Sequence, residues 1–160
     1  MLRVAVITVS DRAAAGIYQD LSGPAIVAEL EASGLDLEIS SDLVADEEND
    51  LRRVLENHLD RDFIITTGGT GLAPRDRTPE VTAAFCDREV PGISEWLRRE
   101  SMTETKNAVL SRGYAGQKGK TIIVNFPGSR RGAAHHARLL AGIMKHAAAM
   151  VAGADHHHHK

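Results

Sequence analysis

The sequence predicts a three-layer α/β/α sandwich with a mostly parallel central sheet. Short apolar runs rich in β-branched residues alternate with longer segments of helical spacing. The 160 residues suffice for one core and are too few for two ordinary domains. No internal repeat or long linker interrupts the alternation.

Each element has its own reason. Leu2 to Val9 is a nearly continuous apolar run, as a strand buried on both faces requires. Ser22 can cap a helix opened by Pro24, with the stripe Ile26, Val27 and Leu30 and an end at Gly34. A weaker strand spans Leu37 to Val44. A helix starting near Asp46 carries Leu51, Val54, Leu55 and Leu59, with Glu47 and Glu48 at its positive end. Phe63 to Thr67 is the third strand, and Thr78-Pro79-Glu80 opens the helix bearing Val81, Ala84 and Phe85. Pro91-Gly92 breaks that helix, and ISEWLRRESM forms another, amphipathic, with Arg98 and Arg99 on an exposed basic side. Ala108 to Tyr114 and Lys120 to Phe126 read as strands joined by the glycine-rich AGQKG. A long helix from Arg130 to Val151 closes the fold, with Leu140, Ile143 or Met144, Ala147 and Val151 on one face. Residues 1–152 then make a single domain, and 153–160 a histidine-rich tail, solvated or appended.

Composition narrows the function. An apolar fraction of 42 % and a charged fraction of 26 % describe a soluble globular protein. A net charge of -3, with no basic block, argues against a nucleic-acid partner. No run reaches membrane-spanning length and no leader precedes the first strand, so the expected location is cytoplasmic. The single cysteine, Cys86, excludes a disulfide framework and reads as a buried thiol on an apolar helix face. His135 and His136 are adjacent, diverge on a helix and read as surface or subunit-contact residues.

The chemistry concentrates in TTGGTGLAPRDRTPE, Thr66 to Glu80. Gly68, Gly69 and Gly71 free the backbone to curl its amides around an anion. The loop is not a Walker A motif, because no Gly-Lys-Ser/Thr follows, and Pro74 spoils the dinucleotide fingerprint. A tight structural turn explains the glycines equally well. Taken alone, Asp46 reads as a helix cap and Asp76 as a surface charge satisfied by Arg75 or Arg77. Together, two carboxylates beside a phosphate pocket suit Mg²⁺. In a parallel sheet the loop shares one edge with Ser10 to Arg12, Asp46 and Asn125 to Ser129.

The motifs SDRAAAGIYQDLSGP, VADEENDLRRVL, TTGGTGLAPRDRTPE, AVLSRGYAG and NFPGS stand in this order and cover about Val4 to Val151. They resemble the molybdenum-cofactor biosynthesis proteins that adenylylate molybdopterin, a family that includes the G domain of gephyrin. The resemblance implies an α/β sandwich that assembles as a homotrimer and works with other molybdenum-cofactor enzymes. It implies transfer of AMP from ATP, with Mg²⁺, to the terminal phosphate of molybdopterin, releasing pyrophosphate. Asp46 and Asp76 take the family's catalytic and metal-holding positions. Its substrate-binding positions fall on Ser10, Gly68, Gly69, Thr70 and Gly71, on Ser111, and on Pro127, Gly128 and Ser129. The chain departs from the pattern after PGS, where Arg130, Arg131, Gly132, His135 and His136 replace a proline and a later glutamate. The alternative function is a non-catalytic pterin-binding or scaffold protein on the same fold.

Overall fold

A computed structural model describes residues 1–153. The elements follow in the order β1 (Leu2–Val9), α1 (Asp11–Ala14), α2 (Ser22–Glu31), β2 (Leu37–Val44), α3 (Glu48–Asn57) and β3 (Phe63–Thr67). They continue with α4 (Thr78–Phe85), β4 (Arg88–Glu89), α5 (Pro91–Ser101), a 3₁₀ turn (Lys106–Leu110), β5 (Ala115–Lys118), β6 (Thr121–Phe126) and α6 (Arg130–Val151). Apart from Gly153, the expected histidine-rich tail lies outside the described residues. No helix among the described residues is long and apolar enough to cross a membrane.

One six-stranded sheet runs in the order β2-β1-β3-β6-β5-β4. β2, β1, β3 and β6 are mutually parallel, while β5 pairs antiparallel with β6 and with β4. Alternation along the strands divides the core. Val4, Val6, Phe63, Ile65, Ile122, Val124 and Phe126 pack with α2, α5 and α6 on one face. Ala5, Ile7, Val9, Ile64 and Ile123 pack with α3 and α4 on the other. This is the three-layer architecture predicted, and the central strands β1, β3 and β6 are mainly apolar and almost wholly buried because both faces are covered.

Several local expectations need correction. Ser22 is the first helical residue rather than the cap; Asp20 Oδ1 accepts the Gly23 amide at 3.1 Å. Asp46 does not cap α3, whose N-cap is Glu47, and Leu59 lies beyond the helix. Cys86 is the C-cap of α4, half-buried against the second core, and burial pushes its thiol up to about 11. Ala108 to Tyr114 is not a strand: it holds the end of the 3₁₀ turn and an extended link. The strand is AGQK, the stretch read as a connection. Its sheet character comes from its two partners rather than from its own residues, with Gly116 packed so closely that a side chain would meet Tyr114, Cys86 and the Arg88 carbonyl.

The end of β3 depends on missing side chains. Gly68 has φ +103°, and a Cβ there would strike the carbonyl oxygen of Val9 at the end of β1. Gly68→Ala is therefore expected to lose about 2–4 kcal/mol in chemical denaturation. Gly142, in open space on α6 with no positive φ, is the control. Its replacement by alanine should gain about 0.5–1 kcal/mol.

Candidate active site

The parallel register places the carboxyl ends of β1, β2, β3 and β6 at one edge of the sheet, where open α/β sheets bind ligands. The loops leaving β1, β2 and β3 are tied together by hydrogen bonds and ion pairs. The Asp11 amide donates to Asp46 Oδ2 and the Asp46 amide donates to Asp11 Oδ1, each at 2.9 Å. Arg75 grips Asp11 with Nε at 2.6 Å from Oδ2 and Nη2 at 2.9 Å from Oδ1. The same Nη2 reaches the Asp46 carbonyl at 3.2 Å and Glu47 at 2.9 Å. One guanidinium thus clasps three loops, which its planar fork allows.

The clasp shapes the local electrostatics. The Arg75 hydrogen bond holds the Asp11 carboxyl below its ordinary range. Asp46 shifts upward, chiefly through burial and then through the negative charges of Asp11 and Asp76. Asp46 and Asp76 are thus close enough to repel, although they come from loops 30 residues apart. The expected pairing of Asp76 with Arg75 or Arg77 does not occur. Arg75 is engaged with Asp11 and Glu47, and Arg77 with Glu48. Asp76 Oδ2 instead accepts the Ala73 amide at 3.0 Å, and its own amide donates to the Ala73 carbonyl at 2.9 Å.

Two cavities adjoin at this edge. The larger, about 630 Å³, is lined by the glycine loop from Gly69 to Leu72, by Asp76, and by Ser111, Pro127, Gly128 and Ser129. The smaller, about 160 Å³, is lined by Ser10, Thr67, Gly68 and Arg130, and shares Gly128 and Ser129 with the first. Every substrate-binding residue expected from the sequence borders one cavity or the other. Asp46 borders neither. It stands behind Gly69 (φ +66°), where an added Cβ would lie 3.1 Å from Asp46 Oδ1. Three serines share one arrangement. Ser10 Oγ accepts the Ala13 amide, Ser111 Oγ that of Gly113 and Ser129 Oγ that of Gly132. Each hydroxyl proton is left available for an acceptor. Among the described residues no group of three or more His, Cys, Asp or Glu side chains forms a metal cage.

Sequence reasoning missed part of the larger wall. Arg98 is half-buried rather than on an exposed basic side; it donates to the carbonyls of Ser111 at 2.8 Å and Gly113 at 3.0 Å. His136 is 5 % exposed rather than a surface residue. Its Nε2 lies 2.7 Å from Ser101 Oγ and its ring meets Phe126 edge-on at 5.1 Å. Burial, then the charges of His135 and Arg98, hold the imidazole down at about 4. Helical spacing from Ala133, Ala137 and Leu140 was the signal that could have placed it inward.

The chain matches the family model described as probable molybdopterin binding domain over residues 5–146. It is 42 % identical over 131 residues to a molybdopterin adenylyltransferase of Helicobacter pylori, covering 79 % of this chain and 74 % of that one. A crystal structure of the molybdopterin biosynthesis enzyme MoaB from Thermus thermophilus superposes with a TM-score of 0.88 at 43 % identity, covering 96 % of this chain and 98 % of that one. The molybdopterin biosynthesis Mog protein of Mycobacterium ulcerans superposes with a TM-score of 0.86 at 38 % identity, covering 94 % and 99 %.

His136 gives a pH signature. Its folded value of about 4 lies below the ordinary 6.5, so between them the unfolded chain binds more protons. Its contribution is fully present above about pH 6.5 and is lost as pH falls through about 4. The stability difference between wild type and His136→Gln should therefore shrink by on the order of 2–3 kcal/mol from pH 7 to pH 4. Paired denaturant titrations across that range measure it, and carboxylates common to both proteins cancel.

Proposed function

Because the chain belongs to the molybdopterin-binding domain family, we propose that it transfers AMP from ATP to the terminal phosphate of molybdopterin and releases pyrophosphate. The observation that carries this reading is Asp76 on the wall of a cavity floored by the glycine loop, with Asp46 directly behind Gly69. A protein that only bound pterin would have no need of such a carboxylate pair.

The attacking oxygen belongs to a phosphate and is already anionic, so no strong base is required. Its new bond to the α-phosphorus of ATP forms as the bond from that phosphorus to the pyrophosphate oxygen breaks. The obstacle is repulsion between two anions, and the chain's contribution is alignment and neutralisation. The amides of Gly69 to Gly71 and the N-terminus of α6 behind Gly128-Ser129 supply partial positive charge. The hydroxyls of Ser10, Ser111 and Ser129 supply donors on the two cavities. Two adjoining cavities that share a wall suit a reaction that joins two substrates.

The site fits Mg²⁺. Asp46 and Asp76 each engage one oxygen, Oδ2, with a backbone amide, which leaves Oδ1 of each for a cation. Asp46 shifts upward through burial first and through the negative charges of Asp11 and Asp76 after it, and a divalent ion would offset that repulsion. Mg²⁺ typically takes one or two carboxylates and completes its shell with water and substrate phosphate. When bound it would spread the charge developing on the triphosphate. We extend the proposal to a homotrimer located in the cytoplasm, supported by the family resemblance of the motifs and, for the location, by the single half-buried cysteine.

Asp76→Asn tests the reading. Pyrophosphate release at saturating ATP and Mg²⁺ should fall by on the order of 10²-fold or more, while a molybdopterin titration stays near wild type. Wild-type protein that binds molybdopterin and releases no pyrophosphate would favour the non-catalytic alternative. Light scattering at micromolar concentration should give three times the chain mass of 17.3 kDa.

A further inference from the structure

We propose that Arg112, steadied by Arg98, is a positioning residue that holds the glycine loop and Asp76 in the shape the reaction uses. This rests on the adenylyl-transfer reading above. Arg112 follows the 3₁₀ turn and approaches the loop from behind. It borders a shallow depression with Glu80 and Arg98, not the large cavity. Its backbone amide donates to the Thr70 carbonyl at 2.9 Å. Its Nε donates to the Gly71 carbonyl at 2.8 Å and its Nη2 to the Asp76 carbonyl at 2.6 Å. Its Nη1 pairs with Glu80 on the first turn of α4.

One rigid fork therefore spans the two ends of the segment Gly71 to Asp76. Within that segment Ala73 and Asp76 exchange two further bonds, one through the Asp76 carboxylate itself. The position of Asp76 is thus fixed twice, by a local turn and by Arg112. The guanidinium is in turn held in register by Arg98, which takes the carbonyls on either side of it, Ser111 and Gly113. Two arginines in series connect α5 to the loop. A lysine in place of Arg112 would keep the charge and lose the span, because a single ammonium lacks the planar fork that reaches both carbonyls in register. A displacement of about 1 Å in a group that aligns reactants costs on the order of 10²-fold in rate.

The experiment uses the full chain with Arg112→Lys and Arg112→Ala. Amide hydrogen exchange of the free protein is read first. Residues 70–76 should exchange at least about tenfold faster in both variants, with β6 and α6 unchanged. Pyrophosphate release follows. The kcat should fall by on the order of 10²-fold, with the Kd for molybdopterin within about threefold of wild type. Added guanidinium should restore at least about tenfold of the Arg112→Ala rate and leave Arg112→Lys unchanged. Wild-type exchange across 70–76 in a folded variant, or full activity in Arg112→Lys, overturns the proposal. Should Arg112→Ala fail to fold, Arg112→Lys alone decides by the same two readings. The exchange measurement needs no substrate. If wild type releases no pyrophosphate, the adenylyl-transfer reading falls while the loop's dependence on Arg112 is still decided.

Discussion

The contact on which the site depends is one of bare backbone. Gly68 lies against the carbonyl of Val9, and Gly128 packs near the Cα of Gly68, so close that a Cβ on Gly128 would sit 3.2 Å from it. The ends of β1, β3 and β6 thereby meet at a spacing that excludes a side chain on Gly68 and crowds one on Gly128. The glycine loop turns over this seam, and the two cavities open on its flanks with Gly128 and Ser129 as their shared wall. Removing the seam would separate the loops that carry Ser10, Asp76 and Ser129 before any contact to a ligand was considered.

Charge then does for the loops what apolar packing does for the sheet. Arg75 gathers Asp11, Asp46 and Glu47, and Arg112 gathers Gly71, Asp76 and Glu80. Both arginines leave the carboxylates of Asp46 and Asp76 uncovered. A loop rich in glycine has high conformational entropy to lose, and the two clasps offset part of that loss in the folded state. Arginine thus organises this edge together with Asp11, while Asp46 and Asp76 each keep one carboxylate oxygen without a protein hydrogen bond.

Legibility in the sequence followed locality. The bounds of β1, β3 and α6 were readable because buried parallel strands and a long periodic helix declare themselves in consecutive residues, and the weaker, half-exposed edge strand β2 was readable as well. The site edge was readable once the sheet was taken as parallel, since strand ends then converge. β5 was not, because Ala115, Gly116, Gln117 and Lys118 have no strand preference of their own and obey their neighbours. Nor were the partners of Arg75, Arg98 and Arg112. Charged residues adjacent in sequence, such as Arg75, Asp76 and Arg77, invite local pairing, whereas the folded chain pairs them across up to 64 residues. His136 escaped because histidine has no hydropathy signature strong enough to mark it as interior.

The placement of α6 bears on how the chain matures. α6 is the last described element of the chain, yet Ala133, Ala137, Leu140 and Met144 complete the core over β1 and β3, the first and third strands made. α2, beside it, has its own apolar residues shared with that same helix. During synthesis, the cover over Val4, Val6, Phe63 and Ile65 begins with α2 and α5 and is completed only by a segment that leaves the ribosome after them. The opposite face, closed by α3 and α4, has its covering helices available much earlier. The nascent chain therefore passes through a stage with α3 and α4 able to cover one sheet face while the other has α2 and α5 but still lacks α6. The apolar surface that α6 covers, of the kind that invites misassociation, is buried only when that helix docks.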